Sequence, residues 1–257
     1  MTSVDIDPSC QTITVIASSD VGLACLAWLL SEDYPVTNVF LGAENDFEIA
    51  SLCERYGIGC EVYTEERALS GSNVDWLLSL WNPHLLPPGI LSKARRRLNL
   101  HPALVPYCRG NDTAAWALLT GVPTGVSLLE MDSSVDAGAI WAQRRIEVTR
   151  VTKGADLLAQ MKTELTALFR SEWPKIYSGS LLPTPQAETM PAYTRSQTNR
   201  DRVRDLTAFR NAEELFVWLR AHDFAPRSSA ELIVDGVRYS VSINLVESPV
   251  QPVLESE

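Results

Sequence analysis

Positive charge is scarce in this chain: 22 Lys and Arg stand against 32 Asp and Glu, a formal net charge of −10 in 257 residues. Gripping nucleic acid chiefly by neutralising phosphates needs a concentrated Lys/Arg surface, so that partner is not expected. The triplet Arg95-Arg96-Arg97 is a local exception, read as the solvated end of a helix just before a strand. Cysteine is equally sparse: Cys10, Cys25, Cys53, Cys60 and Cys108 are an odd set with no CxxC pair. A chain this long does not depend on staples, so reduced thiols are expected and no metal. No apolar run approaches the length of a bilayer, and the opening "MTSVDIDPSC" has no basic stretch followed by an apolar one. The expectation is a cytoplasmic protein with no membrane partner. The loop "ASSDVGLA" after the first apolar run lacks GxGxxG, so a dinucleotide cofactor has no phosphate-binding glycines to sit on. Internal repeats and low-complexity tracts are also absent.

What is present is the composition of an ordinary globular domain, 46% hydrophobic and 21% charged, which argues against disorder. The first half alternates two periods. "TITVIA", "VTNVFLG", "CEVY" and "DWLLSLW" read as buried strands, with "VGLACLAWLLSE" and "NDFEIASLCERYG" between them as helices. This is the rhythm of an α/β fold: a Rossmann-like, mostly parallel sheet with helices on both faces. After "NPHLLPPGIL", a proline-broken loop and short helix, come the strand "LNLH" and the helix "DTAAWALLTG". Then follow the strand "TGVSLLEMD", the turn "SSVDAG", the extended run "IWAQRRIEV" and a long helix ending at Pro174. The segment "GSLLPTPQAETMPAYTRSQTNRDR" reads as a linker across the surface. Beyond it lies a small α+β module, with Asn211 and Glu214 at capping-box spacing and Asp235-Gly236 as a hairpin turn.

Chemistry concentrates in two segments. Asn99 and His101 are two residues apart, so on an extended chain their side chains leave one face, and Pro102 keeps His101 extended. "MDSSVDAG" leaves the next strand at Met131 and places Asp136 in a glycine-containing turn at a neighbouring strand end. In open parallel sheets ligands bind beyond the carboxyl ends of the strands. An amide, an imidazole and a carboxylate meeting there can transfer an acyl group to an amine without a covalent nucleophile. Asn99 would donate to the developing oxyanion, His101 would move the proton, and Asp136 would orient the imidazole. Such an oxyanion donor typically contributes about 3 kcal/mol of barrier lowering. Singly, each residue is an ordinary structural feature; their order together is not.

From about Trp81 to Trp173, "NLHPALVPYCRG" followed by "MDSSVDAGAI" resembles the signature of the folate-dependent formyltransferases. The resemblance implies that Asn99, His101 and Asp136 are the catalytic triplet and that 10-formyltetrahydrofolate is the cosubstrate. It implies a pterin pocket in which Leu86 and Met131 offer backbone groups, Leu91 gives apolar wall, and His84 and Ser133 lie in the lining loops. It also implies a catalytic domain over 1–183, then a linker and C-terminal module over 184–257, and a homodimer. "LWNPHLLPPGIL", "FRSEWPKI" and the ending "ELFVWLRAHDFAP…ELIVDGVRYSVSI" are most similar to the sugar N-formyltransferases. That branch formylates the amine of a nucleotide-linked amino sugar, with Arg109 and Trp116 here as candidate acceptor contacts. Two other readings stay open: formyl transfer to another small amine such as hydroxyornithine, and a catalytically silent relative that binds folate or a nucleotide.

Overall fold

The computed structural model describes residues 11–187 and 190–248. Its first half follows the alternating pattern: β1 (Ile13–Ala17), α1 (Ser19–Ser31), β2 (Val36–Leu41), α2 (Phe47–Tyr56), β3 (Gly59–Val62), α3 (Glu65–Ser70), β4 (Val74–Leu80), α4 (Pro88–Leu91) and β5 (Ala94–His101). Next come β6 (Arg109–Gly110), α5 (Thr113–Thr120), β7 (Thr124–Leu129), β8 (Ile140–Ile146) and α6 (Gly154–Tyr177). The last part holds β9 (Ala192–Tyr193), α7 (Arg195–Asp201), β10 (Val203–Asp205), α8 (Ala212–Ala221), β11 (Ala230–Val234) and β12 (Val237–Val241).

Seven strands form one sheet in the order β3-β2-β1-β4-β5-β7-β8. The first five are parallel; β7 runs antiparallel to β5, and β8 antiparallel to β7. Period-2 alternation sends Ile13 and Val15 to one face of β1, where they join a large core with α1, α2, α5 and α6. Ile16 goes to the other face, joining Phe40, Leu77, Ala68 of α3 and Ile90 and Leu91 of α4. Helices therefore cover both faces. Fully burying one side chain such as Phe169 of α6 stabilises the fold by about 2–3 kcal/mol.

Three expectations change. Arg95, Arg96 and Arg97 lie within β5, not at a helix end. Arg96 sits 5.4 Å from the Trp76 ring centroid and Arg97 pairs with Glu130 at 3.7 Å, so stacking and an ion pair make these cations compatible with a strand. Pro174 does not stop α6, which continues to Tyr177. Trp173 and Ile176 on either side of the proline are both fully buried, and that packing holds the last turn helical despite the missing N–H. The expected linker contains α7, started by a Thr194–Gln197 capping box.

The C-terminal module is a three-stranded sheet, β10-β11-β12, with α8 packed against α5. Asn211 accepts from the Glu214 N–H at 2.8 Å and starts α8, while the Glu214 carboxylate reaches the Arg210 N–H rather than that of Asn211. Asp235 and Gly236 both have positive φ and form the hairpin turn. Among the described residues no helix is long and apolar enough to cross a membrane, and no cluster of His, Cys, Asp and Glu could hold a metal ion. Cys25, Cys53, Cys60 and Cys108 are free thiols, and burial pushes Cys25 and Cys53 up to about 12 and Cys108 to about 11. Cys10 lies outside the described residues.

Candidate active site

β5 ends in a cleft of about 690 Å³, a volume in the ordinary range for small-molecule sites. Asn99 and His101 leave the same face of this strand as expected. Asp136 reaches them by a route that differs from the expectation. Because β7 is antiparallel to β5, pairing Leu129 with Asn99, the chain leaves β7 after Leu129, at the level of Asn99, and not at Met131 beyond the strand end. The 130–139 loop therefore has to double back, and the Glu130 N–H donating to the Ala139 carbonyl at 2.8 Å closes it.

Asp136 lies in that loop with φ 48°, a left-handed conformation that Asp tolerates better than most residues. Its carboxylate collects three neighbours. Asn99 Nδ2 donates to Oδ1 at 3.3 Å, the Gly110 N–H donates to Oδ2 at 2.9 Å, and His101 Nδ1 is 3.5 Å from Oδ2. The His101 side chain is 4% exposed, and its other nitrogen, Nε2, is buried without a hydrogen-bond partner among the described residues. A buried polar atom with no partner costs free energy, and a ligand atom in the cleft would remove that cost.

Two glycines make this possible. A Cβ on Gly138 would lie 1.8 Å from the Glu130 carbonyl oxygen, so the chain can pass there only without a side chain. Gly110, at φ +87°, is pressed against the backbone of Tyr193, where a Cβ would meet the carbonyl oxygen at 2.2 Å. The glycine of Asp-x-Gly thus serves loop closure, and that of Arg109-Gly110 serves the N–H delivered to Asp136.

Ser79, which bears directly on the site, escaped the sequence reading. Ser79 in β4 stands beside Asn99 in the parallel register, is almost completely buried, and donates its hydroxyl to Asn99 Oδ1 at 2.7 Å. With the amide oxygen occupied, Nδ2 is the end that faces Asp136 and the cleft. The available signal was a lone serine inside the apolar run "DWLLSLW".

The remaining candidates divide. Leu86, Leu91 and Met131 line the cleft as an apolar shelf; Leu86 and Leu91 belong to the smaller core, with Met131 packed against it. His84 also lines the cleft, but its ring stacks on Tyr63 at 4.7 Å and its Nε2 is 2.7 Å from the Gly42 carbonyl. It ties the β4–α4 loop to the end of β2. Ser133 is exposed and outside the cleft lining, whereas its neighbours Asp132 and Ser134 contribute to it. Arg109 is buried outside the lining, its Nε and Nη2 donating to the Val135 carbonyl and Nη1 to that of Met190. Trp116 is also outside it: the indole stacks on Tyr193 at 4.1 Å and donates to Thr198 Oγ1 at 2.9 Å. Neither is placed to touch an acceptor, because the polar and flat surfaces of each are already engaged with the protein. Cations that do reach the cleft are Lys162 of α6 and Arg195 and Arg227 of the C-terminal part.

A family model described as formyl transferase matches residues 66–169. A methionyl-tRNA formyltransferase from Sorangium cellulosum is 31% identical over 120 residues, which is 46% of this chain and 39% of that protein; the match spans well under half of the relative's length. Among solved structures, a 4-N formyltransferase from Francisella tularensis superposes with a TM-score of 0.82 over 93% of this chain and 99% of its own, at 18% identity. An N-formyltransferase from Helicobacter canadensis, crystallised with folinic acid and dTDP-3-aminofucose, gives 0.70 over 88% and 85% at 16% identity. At such identities the structural likeness speaks for the fold, and the matched segment contains Asn99, His101 and Asp136. Over residues 66–169 the chain is similar to the formyl transferase family, and its architecture is similar to that of solved N-formyltransferases.

Proposed function

We propose that this protein transfers the formyl group of 10-formyltetrahydrofolate to the amino group of a nucleotide-linked amino sugar, with Asn99, His101 and Asp136 as its catalytic residues. The observation that carries the reading is the buried, unpartnered Nε2 of His101 beside an Asn99 amide whose orientation is fixed, both against the Asp136 carboxylate. The fit to a folate is physical: Leu86, Leu91 and Met131 offer apolar surface of the kind a pterin ring packs on, next to those polar groups. When bound, the folate supplies a formyl group on nitrogen, ready for attack by an amine.

The protein's own part follows from geometry. As the amine adds, negative charge grows on the formyl oxygen, and the Asn99 Nδ2–H is a preorganised donor for it. Asp136, facing Nδ1, favours the tautomer with its proton there, so that Nε2 can take a proton from the attacking amine as the new carbon–nitrogen bond forms; the imidazolium then gives that proton from the same atom to the folate nitrogen as its bond to the formyl carbon breaks, and tetrahydrofolate leaves. The buried setting strengthens each of these interactions relative to water. Lys162, Arg195 and Arg227 around the cleft suit an acceptor carrying phosphates. The solved Helicobacter canadensis complex, with a folate and a nucleotide-linked amino sugar bound to one protein, supports the same pairing here.

The sequence match to a methionyl-tRNA formyltransferase favours a second acceptor, aminoacyl-tRNA. The net charge of −10 weighs against it, since tRNA binding draws on positive surface. The test mixes the full chain with 10-formyltetrahydrofolate and either nucleotide-linked amino sugars, small amines or aminoacyl-tRNA, and follows the gain of one formyl group by mass spectrometry. Formylation of an amino sugar is expected, with turnover falling about a hundredfold or more in folded Asn99→Ala, His101→Ala and Asp136→Ala variants. A His101→Ala enzyme working at the wild-type rate would end this mechanism. The homodimer belongs to the same reading and is measured by light scattering.

A further inference from the structure

The segment that follows the catalytic half does more than connect. Thr184 exchanges backbone hydrogen bonds with Ile140, at 2.7 and 2.8 Å, just beyond the Asp136 loop. Two residues later, Gln186 Nε2 donates to the carbonyls of Asp136 itself, at 3.0 Å, and of Gly138, at 2.8 Å. The Met190 carbonyl accepts from Arg109, whose guanidinium also holds the Val135 carbonyl. Ala192 and Tyr193 pair in parallel with Arg109 and Gly110, the residue whose N–H meets the Asp136 carboxylate. Carbonyls at 135, 136 and 138 thus end on donors brought from outside their own loop.

Asp136 needs this support. A left-handed non-glycine residue in a surface loop is held only where its surroundings over-determine it. The Gln186 amide directs its –NH2 group to the carbonyls of Asp136 and Gly138, while its own Oε1 stays buried without a partner among the described residues. We propose that Gln186 is a positioning residue for the catalytic aspartate: through the Asp136 and Gly138 carbonyls it holds the loop in the conformation that aims the carboxylate at His101 and Asn99. Gln186 acts through Asp136 and does not line the cleft. Asp136 is the charged group within ion-pair distance of His101 among the described residues; Asp112, Glu130, Asp132, Lys162, Arg195 and Arg227 line the cleft farther off.

This inference rests on the formyl-transfer reading for its catalytic consequence, and its structural half can be tested without it. In the full-length protein, the Gly110 amide reports where the Asp136 carboxylate is, because it donates to that carboxylate. Gln186→Met keeps the side-chain length and removes both donors; Gln186→Glu keeps the shape and faces the same carbonyls with an acceptor. Each is expected to speed hydrogen exchange at the Gly110 amide about tenfold or more, as loss of one hydrogen bond's net stabilisation allows. Asp136→Ala serves as the reference for complete loss. Each is also expected to lower kcat ten- to a hundredfold with KM for both substrates within about twofold, since a misplacement near 1 Å costs that much. In an Asp136→Asn background the Gln186 changes should cost little more, because they act through one residue. Wild-type exchange at Gly110 in a folded Gln186 variant would overturn the proposal whatever the activity. A wild-type enzyme that formylates none of the acceptors would instead overturn the functional reading, leaving Gly110 exchange to judge Gln186. Should Gln186→Met fail to fold, Gln186→Glu decides.

Discussion

Asn99 can present either end of its amide to a substrate, and Ser79 decides which. Its hydroxyl occupies Oδ1 at 2.7 Å inside the sheet, so the donor end faces the cleft and, in the proposed reaction, would need no reorganisation. Replacing Ser79 with Ala leaves that oxygen without its donor and lets the amide turn. We expect stability to fall by about 1 kcal/mol and kcat by about tenfold, with KM nearly unchanged. Steady-state kinetics alongside a denaturant melt would show it, and equal kcat in Ser79→Ala would remove the role. The residues of this site were unevenly legible in the sequence. Asn99 and His101 could be paired because strand periodicity alone puts them on one face, and the spacing of Asp136 matched a known signature. Ser79, the Gly110 N–H and Gln186 could not, because their roles depend on which strands are neighbours and on a backbone path that no local pattern specifies. Arg109 and Trp116 were ambiguous for a related reason: a polar or aromatic residue near a site is as useful for bracing it as for touching a ligand, and both brace the protein here.

At the scale of elements, hydrophobic periodicity located every strand of the main sheet but not the direction of each. The reversal at β7 decides the shape of the 130–139 loop, and that loop must double back against Glu130 to bring Asp136 over β5. Gly138 is the element's weak point. A methyl group there would sit 1.8 Å from backbone, which cannot move aside as a flexible side chain can. Gly138→Ala is therefore expected to cost about 2–3 kcal/mol and to reduce turnover a hundredfold or more, as the loop shifts to relieve the clash. Gly121→Ala supplies the comparison: that residue, at φ +66° after α5, has open space where a methyl group would stand, so only the backbone preference is lost. Its expected cost is about 1 kcal/mol with kcat intact. Thermal melts and kinetics on both variants check the pair, and similar kcat values for the two would contradict the loop's role.

At the scale of the whole molecule, the C-terminal module is attached by buried charge as well as by apolar contact. Trp218 of α8 is fully buried, packs on Phe209 at 5.1 Å and donates its indole N–H to the Asp201 carbonyl at 2.7 Å. Burial pushes the Asp201 carboxyl up, but hydrogen bonds from His222 and Arg204, with their charges, outweigh it and hold the group below its ordinary 3.8. Asp223 behaves alike: burial raises it, while the Ile243 and Ala225 N–H groups and Lys153 bring it below 3.8. Lys153 lies at the start of α6, so this second carboxylate joins the module to the main domain. A carboxylate whose folded value is depressed contributes stability that is complete above its unfolded value and disappears as pH falls through the folded one. The contribution of these two carboxylates should therefore be complete near neutrality and fade as acid carries the pH toward and below 3.8. Asp201→Asn should be less stable at neutral pH and show a flatter loss of stability in acid, because the variant side chain has no proton left to take up. Urea melts followed by tryptophan fluorescence at a series of pH values measure both slopes. If Asp201→Asn lost stability between about pH 4 and pH 2 as steeply as the natural protein, the Asp201 carboxylate would not be what ties acid sensitivity to this module.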